Sequence, residues 1–283
     1  MSISGGFMIK ITITKSDAGK QAKDFLESFH LSKAKIHQLF QAHKVTKNQE
    51  VIHQHDILNL NDAIEIDLSV IEQKEVEPFD GPIDIVYEDE DILILNKPKF
   101  ILVHTDGQTI DTLTNRVAYH KSEHFYQILP VHRLDFETSG LLVFGKNPLT
   151  QAFLSHQFEE RLVEKIYLAS VEGVVKKDHG TIDKPIARDR HSSKQRISRS
   201  GKKATSMYSV IRRDDDQSLC EIKIIGGRKH QIRVHMAAIG HPVVGDQLYG
   251  HLKKLSGPLA LQFISCTLIH PRTKTKVTYS IKK

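Results

Sequence analysis

Eight apolar or alternating runs after Pro82 constrain this chain more than any other feature: "IDIVYED", "DILILNKP", "GLLVFGK", "KIYLASVEG", "TSMYSVIRR", "SLCEIKIIGG", "LALQFISCTLIHP" and "KVTYSIKK". In "LCEIKII", Cys220, Ile222 and Ile224 alternate with Glu221 and Lys223, the period-two pattern of a strand with one buried and one wet face. Two helical patterns interrupt the runs. Residues 148–162 place Leu154, Phe158 and Leu162 on one face, and residues 229–239 do the same with Ile232, Met236 and Ile239. Strands that dominate without alternating regularly with helices argue against a doubly wound fold. They predict an α+β chain built on a mixed, mostly antiparallel sheet.

A smaller α/β module precedes this region. In "LSKAKIHQLFQAHKV", Ile36, Leu39, Phe40 and Ala34 fall at helical spacing with Ser32 as N-cap, and in the strand that follows Ile64, Ile66 and Leu68 oppose Glu65 and Asp67. The acidic, Pro-containing stretch "IEQKEVEPFDGP", residues 71–82, reads as a linker. The predicted division is therefore residues 1–70, a linker at 71–82, and residues 83–283. Lys33, Lys35, Lys44 and Lys47 around the predicted helix read either as a solvated face or as a basic binding surface.

Forty Lys and Arg against thirty-four Asp and Glu, a net charge of +6, favour a polyanionic partner. Residues 184–203, "KPIARDRHSSKQRISRSGKK", hold eight basic residues against Asp189 alone, with almost nothing apolar to pack. They read equally as a solvated loop and as an arm that neutralises phosphates. The sequence has no apolar block of membrane-spanning length and no signal-peptide pattern. Two cysteines, Cys220 and Cys266, fit a reduced compartment, so a cytoplasmic protein without membrane attachment is expected.

The chemistry concentrates in "HRLDFETSG", residues 132–140. Asp135 follows the apolar "ILPV" and precedes a turn and the strand "LLVF", so it sits at a strand end and projects into a cleft. Thr138 and Ser139 can bond the local backbone and Gly140 can take a positive φ, which would hold the carboxylate in one orientation. It would serve as a nucleophile or as a stabiliser of an oxocarbenium ion; the competing reading is a turn residue paired with Arg133. A kinase places Asp directly after His-Arg, and a glycosidase needs a second carboxylate at a fixed separation, which Glu137 has no warrant to supply. In "GGRKHQIRVHMAAIGHPVVGDQLYG", no phosphate-loop spacing is present. His230 and His235 fall on different helix faces, against a metal pair, while Arg233 points away from the apolar face, where it could meet a carboxylate. Tyr167 lies within a strand and by itself reads as packing.

Together these segments, with "IVYEDEDILILNKP", "LVH" and "LIHPRT", resemble the RluA-type pseudouridine synthases along nearly all of residues 83–283. The N-terminal region resembles, more weakly, the S4 RNA-binding domain. The resemblance implies the pseudouridine synthase fold and an enzyme that isomerises uridine in rRNA or tRNA, flipping the base, without cofactor or metal and acting as a monomer. It implies that Asp135 is the essential catalytic residue, attacking C1′ or taking the C2′ proton. Arg133 then extrudes the target and fills its place, Tyr167 stacks on the uracil and is implicated in removing the C5 proton, and Arg233 pairs with Asp135. The chain departs from the family where Lys99 and Phe100 replace a small residue and glycine, and at Lys229 and Gln262, which bears on substrate choice. An RNA-binding protein without turnover and a glycosidase of free nucleosides are the rival readings.

Overall fold

In the computed structural model, which describes residues 8–124, 126–189, 192, 194–250 and 257–281, each of the eight runs forms a paired strand. The N-terminal module carries β1 (Met8–Thr12), α1 (Ala22–Glu27), α2 (Lys33–Gln41), β2 (Val45–Lys47), β3 (Glu50–Val51) and β4 (Ala63–Asp67), with the sheet order β1-β4-β2-β3, all antiparallel. The Ser32 side chain accepts from Lys35 N, as an N-cap should, and Ile36 and Leu39 are buried. Ala34 is exposed, outside the expected face.

The main sheet begins with β5 (Ile85–Glu88) and β6 (Ile92–Lys97), continues after α3 (Leu113–His120) with β7 (Leu129–Pro130) and β8 (Ser139–Gly145), and after α4 (Pro148–Glu159) with β9 (Glu164–Glu172). β10 (His179–Asp183), the ribbon β11 (Ile186–Arg188) and β12 (Gln195–Ile197), then β13 (Thr205–Arg213), β14 (Gln217–Ile225), α5 (Gln231–Ala238), β15 (Leu261–Ile269) and β16 (Lys276–Ser280) complete the described chain. Its order is β10-β13-β14-β9-β15-β8-β6-β5, with β16 beside β15 and β7 beside β8. The one parallel junction among the described strands is β15 with β8, at Gln262↔Ser139 and Phe263↔Gly140. The sheet is therefore mixed and mostly antiparallel.

That junction is possible because residue 140 is glycine. Its φ is +116°, and a Cβ there would lie 2.3 Å from the Phe263 carbonyl oxygen. β6 and β8 are apolar on both faces because both faces are covered. Ile92, Ile94, Leu141 and Val143 join the larger core with α4, while Leu93, Leu95, Leu142 and Phe144 meet Leu113 and Val117 of α3. α4 starts at a capping box between Asn147 and Thr150 with Pro148 in its first turn.

The N-terminal module shares the larger core. Phe29 packs on Phe153 of α4 at 5.9 Å between ring centres, and the Lys274 ammonium lies 3.6 Å and 3.9 Å from these two ring centres. Arg272 binds Asp91 and donates to Lys10 O of β1, while His270 bonds Asp89 at 2.8 Å, so the Asp89, Asp91 and His270 cluster is an ion-pair seam under the module. Residues 71–84 form no helix or strand but lie along α3, with Phe79 N donating to Asn115 O and Asn115 Nδ2 to Glu77 O. The basic segment 184–203 is a two-stranded ribbon whose Ile186 packs with Ala204 and Val234; its Arg190 lies outside the described residues.

Candidate active site

The sheet brings the polar clusters of the sequence to one cleft. The turn after β7 carries Arg133 and Asp135, the middle of β9 carries Tyr167, and α5 carries Arg233. All four line a cavity of about 350 Å³, together with Lys165 and His230. The turn is closed by backbone, Thr138 N donating to Asp135 O at 3.1 Å, and the Gly140 approach to β15 fixes where it ends. Tyr167 is nearly buried and stacks on Phe263 at 4.7 Å with 16° between planes. Burial first, then the charge of Asp135, push the Tyr167 phenol well above its ordinary range, so it is neutral at physiological pH.

His132 anchors the strand ahead of the carboxylate. Its ring stacks on Phe158 at 4.3 Å and its Nε2 accepts from Val143 N. Burial, then the Lys165 charge, push its pKa down to about 3, so it is a neutral packing group.

The Arg233 guanidinium is 1% exposed and does not form the expected ion pair with Asp135. Nε and Nη2 donate to the two carboxylate oxygens of Asp246, each at 2.7 Å, and Nη1 lies 3.3 Å from Glu137. A planar fork matched to a carboxylate is the stronger geometry for a buried arginine, and Asp246, in "GDQLYG", is placed to accept it. Burial acts to lower the Arg233 pKa; the bonds and charge of Asp246, with Glu137 and Asp135 behind them, outweigh it and hold the guanidinium charged. Arg233 thus fixes the turn through Glu137 and reaches Asp135 as a field. Glu137, which has no warrant from sequence as a second acid, serves as that anchor.

Two further groups act on Asp135 that sequence reasoning did not assign to the site. His230, which caps α5 with φ +55°, places Nε2 3.8 Å from Asp135 and Nδ1 3.0 Å from the Tyr249 hydroxyl. Its burial lowers the imidazole pKa, partly countered by Asp135 and reinforced by Arg233, so the neutral form prevails at pH 7. Lys97, at the end of β6, is fully buried, and its ammonium donates to the carbonyls of Pro98, Ile101 and Phe136. Burial pushes its pKa down to about 8 against the opposing pull of Asp135. The signal for Lys97 was the "NKP" that ends its strand.

Residues 91–238 match the family described as RNA pseudouridylate synthase. The uncharacterized RNA pseudouridine synthase YhcT of Bacillus subtilis is 37% identical over 273 residues, spanning 94% of this chain and 90% of that protein. The dual-specificity RNA pseudouridine synthase RluA of Vibrio cholerae is 34% identical over 203 residues, 69% of this chain and 81% of that one. Among solved structures, human RNA pseudouridylate synthase domain containing 1 superposes with a TM-score of 0.61 at 28% identity, covering 75% of this chain and 86% of that one. By family match and by relatives aligned over most of its length, this chain belongs to the RNA pseudouridine synthases, the isomerases that convert uridine in RNA to pseudouridine.

Proposed function

We propose that the cavity at Asp135 takes a uridine flipped out of structured rRNA or tRNA, and that Asp135 is the group that opens its glycosidic bond. The observation that carries this reading is the convergence of Asp135, Arg133, Tyr167 and Arg233 on one cavity from a turn, a strand and a helix. Either Asp135 attacks C1′, forming an ester as the N1–C1′ electrons pass to the uracil, or it takes the C2′ proton and leaves a glycal. In both routes the freed base turns and C5 bonds to C1′, the ester C1′–O bond breaking in the first and Asp135 returning the proton to C2′ in the second; C5 then loses its proton and N1 gains one.

Tyr167 stacks the base. Its neutral phenol favours this role, and that of a hydrogen-bond donor, over removal of the C5 proton. Arg133 is exposed beside Asp135 and suits the space the base leaves in the RNA stack. Unstacking costs a few kcal/mol, which aromatic contacts and phosphate neutralisation offset. The β11–β12 ribbon, with Lys194 and Arg196, and the exposed Lys33 and Lys35 of α2 supply cations for the RNA backbone. Residues 1–70 then act as an S4-like RNA-binding module attached to a catalytic domain at 83–283. The reading describes a cytoplasmic monomer that needs no cofactor.

The test is release of tritium from RNA labelled at uracil C5, using total rRNA and tRNA from cells lacking the protein. The purified protein releases label, and Asp135→Asn and Asp135→Ala do not. Absence of release by the unaltered protein would refute the assignment.

A further inference from the structure

Beside the cavity, two large apolar rings face solvent. Phe100 is 56% exposed and Phe136 46%, with ring centres 5.8 Å apart and planes at 63°. Phe136 follows Asp135 directly in the chain. Phe100 N donates to Phe136 O at 2.8 Å, and the same carbonyl accepts from the buried Lys97 ammonium at 3.3 Å. Phe100 also has φ +62°, a left-handed backbone that a bulky side chain adopts only under strain. A glycine would be at ease with this dihedral. The chain therefore holds a strained backbone by hydrogen bonds, and the side chain it places there is an exposed ring with little packing to favour it.

We propose that Phe100 and Phe136 form a stacking platform on the rim of the cleft, which holds an unpaired base adjacent to the target uridine in the same RNA strand. This rests on the reading of the Asp135 cavity given above. The surroundings select this occupant. Arg133, His104 and Lys74 lie close enough together that the charges of Arg133 and Lys74 both oppose protonation of His104. Lys99 stands next to Phe100 in the chain and the exposed Arg133 three residues before Phe136; exposed rings with cations this close along the chain fit a base carried on phosphates, the rings taking the base and the cations its backbone. Two rings at a steep angle offer a face to stack on and an edge to close against. The platform is one residue from Asp135, so the base it holds neighbours the one being isomerised, and it selects sites flanked by an unpaired nucleotide.

The experiment compares Phe100→Gly, Phe136→Ala, the double variant and Phe136→Tyr by tritium release from total rRNA and tRNA of cells lacking the protein. It is paired with ultraviolet crosslinking of the same RNA and peptide mass spectrometry. Glycine at 100 relaxes the backbone, so the fold is retained. The double variant should raise KM about tenfold with kcat changed less than threefold, Phe136→Tyr should stay near the unaltered protein, and nucleotide adducts should appear on Phe100 or Phe136. An unchanged KM, adducts confined to other residues, or a fall in kcat at constant KM overturns the platform. If the unaltered protein releases no tritium, the isomerase reading fails, while the crosslinks still decide whether RNA stacks on these rings.

Discussion

Replacing Gly140 by alanine tests the junction that holds the site together. The added Cβ would stand 2.3 Å from Phe263 O, 2.5 Å from its N and 2.8 Å from its C, all backbone atoms of β15. To reach even 3.0 Å, β8 and β15 must part by about 0.7 Å. Residue 140 must also keep φ +116°, at about 1–3 kcal/mol for a residue with a Cβ. Overpacking against immovable backbone adds about 1–3 kcal/mol. Gly140→Ala should therefore lose about 2–6 kcal/mol, a large share of the about 5–15 kcal/mol that holds a domain folded. Gly107→Ala is the control, because its φ is +96° but nothing lies within 4 Å of the new Cβ, so it bears the dihedral cost alone. Urea denaturation of both, at equal slopes, isolates the contact as the difference, about 2 kcal/mol. Activity should fall as well, because Phe263 carries the ring on which Tyr167 lies. If Gly140→Ala comes within about 0.5 kcal/mol of Gly107→Ala, the close approach is not what fixes the turn.

Arg233→Met should cost about 3–5 kcal/mol in denaturant by leaving Asp246 buried and unpaired. Adding Asp246→Asn, which keeps an oxygen for the Leu248 and Tyr249 amides, should recover part of that loss, and no recovery would refute the pairing. His132 has a folded pKa of about 3 against 6.5 unfolded, so the unfolded chain binds more protons between these values and stability falls as pH drops through that window. Between pH 7 and 5 the unaltered protein should lose roughly 2 kcal/mol more than His132→Gln, in which the amide oxygen can still accept from Val143. Lys33→Ala with Lys35→Ala should reduce the slope of log affinity against log salt for structured RNA by up to about 2, and an unchanged slope would count against an RNA role for α2.

The strands were legible because burial on one face leaves a period of two, and β14 shows it at Cys220, Ile222 and Ile224. α3 was missed because its buried face is half polar. Thr114 and Asn115 lie inside, with Thr114 bonded to Val103 O and Asn115 to Glu77 O, and hydropathy cannot register a polar residue satisfied by distant backbone. α5 was placed correctly, but its residues from Gln231 to Met236 are all buried, so the single apolar face inferred from Ile232 and Met236 described only part of its surroundings. The partner of Arg233 was misjudged for a related reason: thirteen positions separate it from Asp246, and only the fold brings them together. Residues 184–203 lacked the apolar pattern of a sheet, and their pairing rests on anchors as few as Ile186 and Ile197. Of the groups gathered at the cleft, Arg133, Asp135, Tyr167 and Arg233 stand in motifs that run in order along the chain, while the placing of His230 and Lys97 near Asp135 emerges only once the loops are placed.

The parallel pairing of β8 with β15 also sets a clock. Ser139 and Gln262 are more than 120 residues apart in the chain, so the ribosome delivers one partner roughly 6–25 s after the other at about 5–20 residues per second. Until residues 261–269 emerge, β8 has its β6 neighbour but lacks the strand that carries Phe263, and Tyr167 has no ring to lie on. The nascent chain therefore carries the Asp135 carboxylate early, and the packing behind Tyr167 is completed only after β15 emerges.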